Sequence, residues 1–182
     1  MKKFIFSIIA LLGILMPNTA WAQEPYAVLS DDHTVLTFYY DDQKDSRNGM
    51  DVGPFQYIDD GNPETVKSGW NSSRETITTV VFDDSFANCN TIKSTAYWFF
   101  YLKALKEIKG LTNLKTDNVT DMWGMFSDCS SLESLDLSAF NTKNVTCMIQ
   151  LFYRCSSLTS LDVSSFNTEN VTSFQSMFWG CS

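Results

Sequence analysis

The sequence predicts an α/β solenoid, with a parallel sheet on one face, short helices on the other and a β-hairpin that caps its N-terminal end. Three observations predict this fold: a 26-residue period, two different hydrophobic spacings within each period, and a β-rich segment ahead of the first repeat. One unit of this size cannot bury its apolar face alone, so we expect successive units to stack.

The 26-residue period is carried by columns of identical apolar residues, which we expect to form the structural ladder of the stack. These columns are Val119, Val145 and Val171; Phe126, Phe152 and Phe178; Cys129, Cys155 and Cys181; Leu132 and Leu158; and Phe140 and Phe166. A dozen positions agree between units, and none lies in low-complexity sequence.

Each unit has two halves with different spacings. One half reads Leu132-x-x-Leu135-x-Leu137, and its last two leucines alternate, as on a strand with one buried face. Leu158 and Leu161 occupy the corresponding positions of the next unit. In the other half, Val119, Met122, Phe126 and Cys129 are spaced 3, 4 and 3, which predicts one face of a short helix. Asn118 and Asn144 precede these faces, where an N-cap belongs.

The chain divides into three predicted segments. Residues 1–22 form a signal peptide, residues 23–74 an acidic β-rich cap, and residues 75–182 the repeat array, irregular over 75–115 and regular over 116–182. The runs 26–30 and 34–40 predict the hairpin of the cap. No polar terminal unit follows the last repeat, so we expect the sequence to be a fragment of a longer array.

The first 22 residues are typical of a secretory signal. Lys2 and Lys3 precede an apolar run, and Ala20 and Ala22 provide the small residues that signal peptidase requires, so cleavage before Gln23 is expected. The alternative is an uncleaved anchor, but the run is short for a bilayer. No second apolar stretch of 18 residues follows, so we expect an exported chain without a transmembrane segment.

Charge and composition exclude several functions. Removal of Lys2 and Lys3 leaves 11 basic against 21 acidic residues, a net charge of −10, which argues against partners rich in phosphate such as nucleic acid. The sequence has one histidine, His33, which leaves little room for histidine-based catalysis. We therefore expect no enzyme activity, no metal and no cofactor.

The candidate binding face is the outward side of the predicted sheet. Its aligned columns are Glu133 with Thr159, Ser134 with Ser160, and Asp136 with Asp162. The two aspartates could act as a general acid and base or bind a cation, but the sequence supplies no nucleophile or electrophile beside them, so we expect a polar stripe that keeps the sheet face wet. On the inward side, Cys129, Cys155 and Cys181 are predicted to be buried, unpaired thiols, and Cys147 to be more exposed.

The repeat Cys-Ser-Ser-Leu-x-Ser-Leu-Asp-(Leu/Val)-Ser-x-Phe-Asn-Thr-x-Asn-Val-Thr resembles the BspA-like leucine-rich-repeat surface proteins, common in Bacteroidetes-type bacteria. The resemblance implies an α/β leucine-rich-repeat solenoid on a cell surface. It also implies adhesion through a protein ligand, either host extracellular matrix or another bacterial surface protein. We therefore expect a secreted, non-enzymatic protein-binding and adhesion module. The alternatives are an envelope structural or spacer element, or the repeat part of a larger secreted enzyme.

Overall fold

The computed structural model describes residues 22–55 and 66–181, so residues 1–21 of the predicted signal peptide, including Ala20, lie outside the described part. The described chain forms one mixed sheet with the strand order β3-β1-β2-β4-β5. Its strands are β1 (Glu24–Leu29), β2 (Val35–Asp41), β3 (Met50–Asp51), β4 (Thr79–Phe82) and β5 (Glu107–Lys109). Strand β1 pairs antiparallel with β2 and β3, whereas β2 with β4 and β4 with β5 are parallel.

Strands β1 and β2 form a hairpin because alternate residues of β2 point into the core and a polar turn reverses the chain. Leu36 and Phe38 are buried, while their neighbours in β2 are only partly so. At the turn, the Asp32 carboxylate accepts hydrogen bonds from the Thr34 backbone N–H at 3.1 Å and from the Ser30 hydroxyl at 2.7 Å. The parallel pairing of β2 with β4 makes this hairpin part of the same sheet as the first repeats.

The predicted α/β leucine-rich-repeat solenoid is wrong. Among the described residues there is no α-helix, and the helical structure consists of three single 3-10 turns at Asn71–Ser73, Asp84–Asn88 and Leu111–Asn113. None of these turns has the length and hydropathy that a membrane span requires. The mixed five-stranded sheet replaces the expected parallel sheet, and turns replace the expected helices.

The helix prediction fails because the backbone turns left-handed at every fourth residue. Gly124, Asp128, Gln150 and Arg154 have φ values of 58°, 60°, 53° and 54°, which an α-helix does not contain. Successive N–H groups accordingly alternate between two kinds of acceptor. The Met125 N–H donates to the Met122 carbonyl within its own turn, at 3.2 Å, whereas the Phe126 N–H donates to the Leu151 carbonyl of the following repeat, at 3.0 Å. The 3-4-3 spacing therefore marks a buried face of stacked turns.

The predicted N-caps have a different role. The side-chain amide of Asn118 donates to the Asn90 carbonyl at 2.9 Å, and that of Asn144 donates to the Asp117 carbonyl at 2.7 Å. Each asparagine thus reaches back to the preceding repeat and joins two layers of the stack, because there is no helix N-terminus for it to cap.

Among the described residues of the regular repeats, 116–181, the predicted parallel strands are absent. Within the described part of the array, the strands β4 and β5 lie in its irregular portion, residues 75–115. Within the described residues, no backbone hydrogen bond joins residues 133–137 to residues 159–163. The repeats are joined instead along their turns. Parallel bridges connect Ser94 with Asp121, Asp121 with Cys147, and Cys147 with Ser173. These bonds fix the spacing of the layers, while the described leucine segments form no ladder with one another.

One continuous core runs from the hairpin through the repeats. Most of the predicted ladder is buried: Val119, Phe126, Cys129, Leu132, Leu137, Phe140, Val145, Phe152, Cys155 and Leu158. Five further ladder residues are partly buried: Leu135, Leu161, Phe166, Val171 and Cys181. Phe178 differs from its column, since it is 46% exposed. The Phe99, Phe126, Phe152 and Phe178 rings follow one another at centroid distances of 5.4, 5.5 and 5.6 Å.

Candidate functional site

The six residues of the predicted binding face lie together on the side of the stack formed by the leucine segments. All six are exposed: Glu133, Ser134, Asp136, Thr159, Ser160 and Asp162. Because the leucines of these segments point inward, the residues between them point outward in aligned columns. This face follows on from the edge of the sheet at β5.

Two grooves cross this face. The first groove has a volume of about 350 Å³ and lies between β5 with its following turn and residues 134–136. The second groove, of about 180 Å³, lies between residues 135–138 and the segment that carries Asp162 and Ser164. Both grooves follow from the missing ladder bonds, since paired strands about 4.8 Å apart would leave no space between their backbones.

Asp136 and Asp162 both line the second groove and make the same local contact. The Asp136 carboxylate accepts the Ser138 N–H at 2.9 Å, and that of Asp162 accepts the Ser164 N–H at 2.8 Å. Hydrogen bonds from the side chain and backbone of these serines lower the pKa of both carboxyl groups. Because both are anionic at neutral pH, the pair supplies negative charge and lacks the raised pKa that a general acid needs.

The acidic N-terminal segment is held by two basic side chains. Lys44 lies 2.7 Å from Glu24 and 2.6 Å from Asp51, and Arg47 lies 2.9 Å from Asp41. Burial raises the pKa of Asp41, but hydrogen bonds from the Tyr26 hydroxyl and the Gln43 N–H, with Arg47, outweigh it and lower the pKa overall. Within the described residues, no group of three or more His, Cys, Asp or Glu side chains could hold a metal ion.

All five cysteines are free thiols, and three of them link repeats. Cys129 and Cys155 are buried, and Cys181 is partly buried. Each of these thiols donates to a carbonyl of the preceding repeat: Cys129 to Phe99 at 3.1 Å, Cys155 to Phe126 at 3.0 Å and Cys181 to Phe152 at 3.0 Å. Cys147 is also only partly buried, and burial raises its pKa, which reduces its thiolate fraction at neutral pH.

Trp123, Tyr153 and Trp179 flank the predicted buried helix face, a pattern that favours packing between neighbouring helices over exposed aromatic contacts for a partner. Tyr153 stacks on Trp179 at 5.0 Å, with the Arg154 guanidinium 5.2 Å from the Trp179 ring. Trp179 is 56% exposed and Phe174 is 45% exposed.

A family model described as "Mycoplasma protein of unknown function, DUF285" matches residues 82–182. No curated protein and no solved structure matches the chain. The matching family is not a BspA-like leucine-rich-repeat family, so the resemblance drawn from the repeat sequence is wrong. The matched range covers the stacked turns and both grooves, and it begins at the last residue of β4.

Proposed function

The chain belongs to the DUF285 family, and we propose that it is an exported, non-enzymatic protein-binding module that mediates adhesion at the cell surface. The observation that carries this proposal is the first groove, which runs along the edge strand of the sheet. The proposed export rests on the leader sequence, and the proposed ligand class rests on the groove.

The walls of the first groove suit an extended polypeptide. Strand β5 pairs with β4 on one side, and its other side faces the groove. On the opposite wall, the backbone of residues 134–136 makes no bond to another segment of the described chain. An edge strand with available N–H and C=O groups is a template for an added strand. Strand addition gives affinity through main-chain bonds and specificity through side-chain pockets.

Charge indicates what kind of segment fits. Asp136 lies between the two grooves and lines both, and Asp162 lines the second. Lys106 and Glu107 line the far wall of the first groove. The negative charge therefore concentrates where the grooves meet, and a partner with Lys or Arg there would gain electrostatic steering and a faster association rate.

The test is binding to a partner isolated by pull-down from extracellular-matrix and bacterial surface proteins. In the double variant Asp136→Asn and Asp162→Asn, the amide oxygen still accepts the serine N–H while the charge is lost. The control, Asp31→Asn with Glu169→Gln, makes the same change of charge at two exposed acids away from the grooves.

We expect the groove variant to bind about tenfold more weakly, with a shallower salt dependence, and the control to bind normally. Equal affinity and equal salt dependence for both variants would exclude the grooves as the binding site. Failure to capture any partner would favour an envelope spacer.

A further inference from the structure

The direction of the backbone bonds in β4 shows which residue of β5 turns towards the first groove. The Thr79 N–H donates at 3.2 Å to the carbonyl of Thr34, which directly precedes β2. Alternate residues of a strand bond to opposite neighbours, so Val80 directs its N–H and C=O to β5. Val80 is paired with Ile108 in a parallel register, and its bonds therefore go to the residues on either side of Ile108. The N–H and C=O of Ile108 consequently turn away from β4, towards the groove.

Ile108 is the one residue of β5 with this orientation. At one end of the strand, the Lys106 N–H bonds back to the Thr78 carbonyl at 2.9 Å. At the other end, Gly110 has a φ of 65°, which ends the strand. Outside the pairing with β4, no described residue bonds to the Ile108 backbone. A partner strand in the groove therefore meets one N–H and one C=O, and both belong to the same residue.

The side chains around this N–H and C=O pair form a floor and two rims. Ile108 is partly buried, whereas Glu107 and Lys109 on either side of it are exposed. On the opposite wall, Leu135 is also partly buried and Asp136 beside it is exposed. A residue that pairs with Ile108 thus places its side chain on the partly buried floor, and the side chains of its two neighbours point outward.

The charge of Asp136 lies at one end of the groove. The N–H groups of Leu105 and Leu132 each bond three residues back, at 3.0 and 3.2 Å, so these leucines hold equivalent positions in successive repeats. Four residues after each of them come Lys109 and Asp136, which places Asp136 level with the end of β5. The Lys109 ammonium turns back to Glu107, at 3.2 Å from its carboxylate. Asp136 therefore faces this end of the groove and favours a basic side chain there.

We propose that the first groove binds an extended segment of another protein antiparallel to β5, with a basic residue directly before a β-branched apolar residue. This inference rests on the proposed function and adds the direction and the side chains of the ligand. The β-branched residue exchanges both main-chain bonds with Ile108, which a single residue does only in an antiparallel pair. The basic residue then lies opposite Lys109, beside Asp136. A groove of about 350 Å³ between two walls admits one segment, whereas the edge of a second folded copy brings its neighbouring strand with it.

The probe is the peptide acetyl-Thr-Lys-Val-Thr-Thr-amide, titrated into the isotopically labelled chain while the backbone amide signals are followed by NMR. Its isomer, acetyl-Thr-Thr-Val-Lys-Thr-amide, brings the lysine beside Asp136 only in a parallel pair, so it is the matched control for direction. A third peptide has the first sequence with N-methylvaline, which cannot donate to the Ile108 carbonyl.

Two variants of the chain test the other main-chain bond. Ile108→Pro and Ile108→Ala both shorten the side chain, but only proline removes the N–H that faces the groove. Proline is tolerated on an edge strand whose N–H points away from its neighbour. The bonds between β4 and β5 use the residues on either side of Ile108, so both variants keep them.

We expect the first peptide to shift the Ile108 amide signal saturably at millimolar concentration. It should bind about threefold more tightly than its isomer, which is the effect of one cross-strand charge pair. N-methylation of the peptide should weaken binding about tenfold, because one main-chain bond is lost and its acceptor is left unpaired. Ile108→Pro should weaken binding by a similar factor relative to Ile108→Ala.

The absence of a saturable shift, equal or tighter binding of the isomer, or equal binding of the N-methylated peptide would each overturn the proposal. The peptide comparisons use the unmodified chain, so they decide the matter even if Ile108→Pro does not fold. The proposed function is tested separately, by the Asp136→Asn and Asp162→Asn chain. A captured partner that depends on these carboxylates but binds equally to the Ile108→Pro and Ile108→Ala chains would overturn strand addition and leave the proposed function standing.

Discussion

Phe152→Ala is the sharpest test of how the layers are held together. The Phe152 ring lies between Phe126 and Phe178, at centroid distances of 5.5 and 5.6 Å and interplanar angles of 9° and 10°. It is fully buried, so truncation removes the transfer free energy of the ring and leaves a cavity between two layers. We expect a loss of about 3–5 kcal/mol in the free energy of unfolding.

Phe178→Ala is the matched comparison, because the side chain and the column are the same but the position is different. Phe178 stacks on Phe152 and is 46% exposed, so its truncation removes only about half as much buried ring surface as the truncation of Phe152. We therefore expect Phe178→Ala to lower the free energy of unfolding by about 1–2 kcal/mol. Urea denaturation of both variants and the unmodified chain measures the two values. Equal losses would refute the difference in burial between the Phe152 and Phe178 rings.

Three further predictions concern stability. Tyr26→Phe removes the 2.6 Å hydrogen bond from the hydroxyl to Asp41. We expect urea denaturation to show a free energy of unfolding lower by about 1–2 kcal/mol. An unchanged denaturation midpoint would mean that this bond adds nothing to stability. Burial raises the pKa of Cys155 to about 12 from 9.0, so the unfolded chain ionises first. The free energy of unfolding should therefore be constant below pH 9.0 and fall as the pH rises towards 12. The fall should be less steep in the Cys155→Ala variant, which lacks this thiol. Gly124→Ala places a Cβ 3.0 Å from the Tyr97 ring at a residue whose φ is +58°. We expect the free energy of unfolding to fall by at least about 1 kcal/mol, whereas a helical segment would lose no stability.

The buried face of the repeats was predictable from the sequence, but its backbone was not. The 3-4-3 spacing of Val119, Met122, Phe126 and Cys129 places all four in the core, and all four are fully buried. The same spacing arises in a helix and in successive turns of three and four residues. Hydrogen bonds to the neighbouring layer decide between them, and they hold Gln150 and Arg154 in the left-handed region against their local preference.

Gly124 was the available signal for turns, since a glycine inside a helical pattern costs stability and favours positive φ. It lies in the column of Gln150 and Ser176, which share its conformation. For the candidate site, alternation with the leucines was enough to predict that Asp136 and Asp162 are exposed. The grooves beside them were not predictable, because they depend on which segments form ladder bonds and which do not.

The repeats form stacked turns, each with residues in the left-handed region of φ, in place of helices, and position 150 tests this backbone most directly. The comparison is between Gln150→Gly and Gln150→Ala, since both remove the amide side chain and only one keeps a Cβ at a φ of 53°. In urea denaturation, we predict that the Gln150→Gly chain is the more stable of the two, by about 1–2 kcal/mol, because only glycine adopts this φ without strain. A Gln150→Ala chain more stable by about 1 kcal/mol, the preference of a helix interior, would contradict the account.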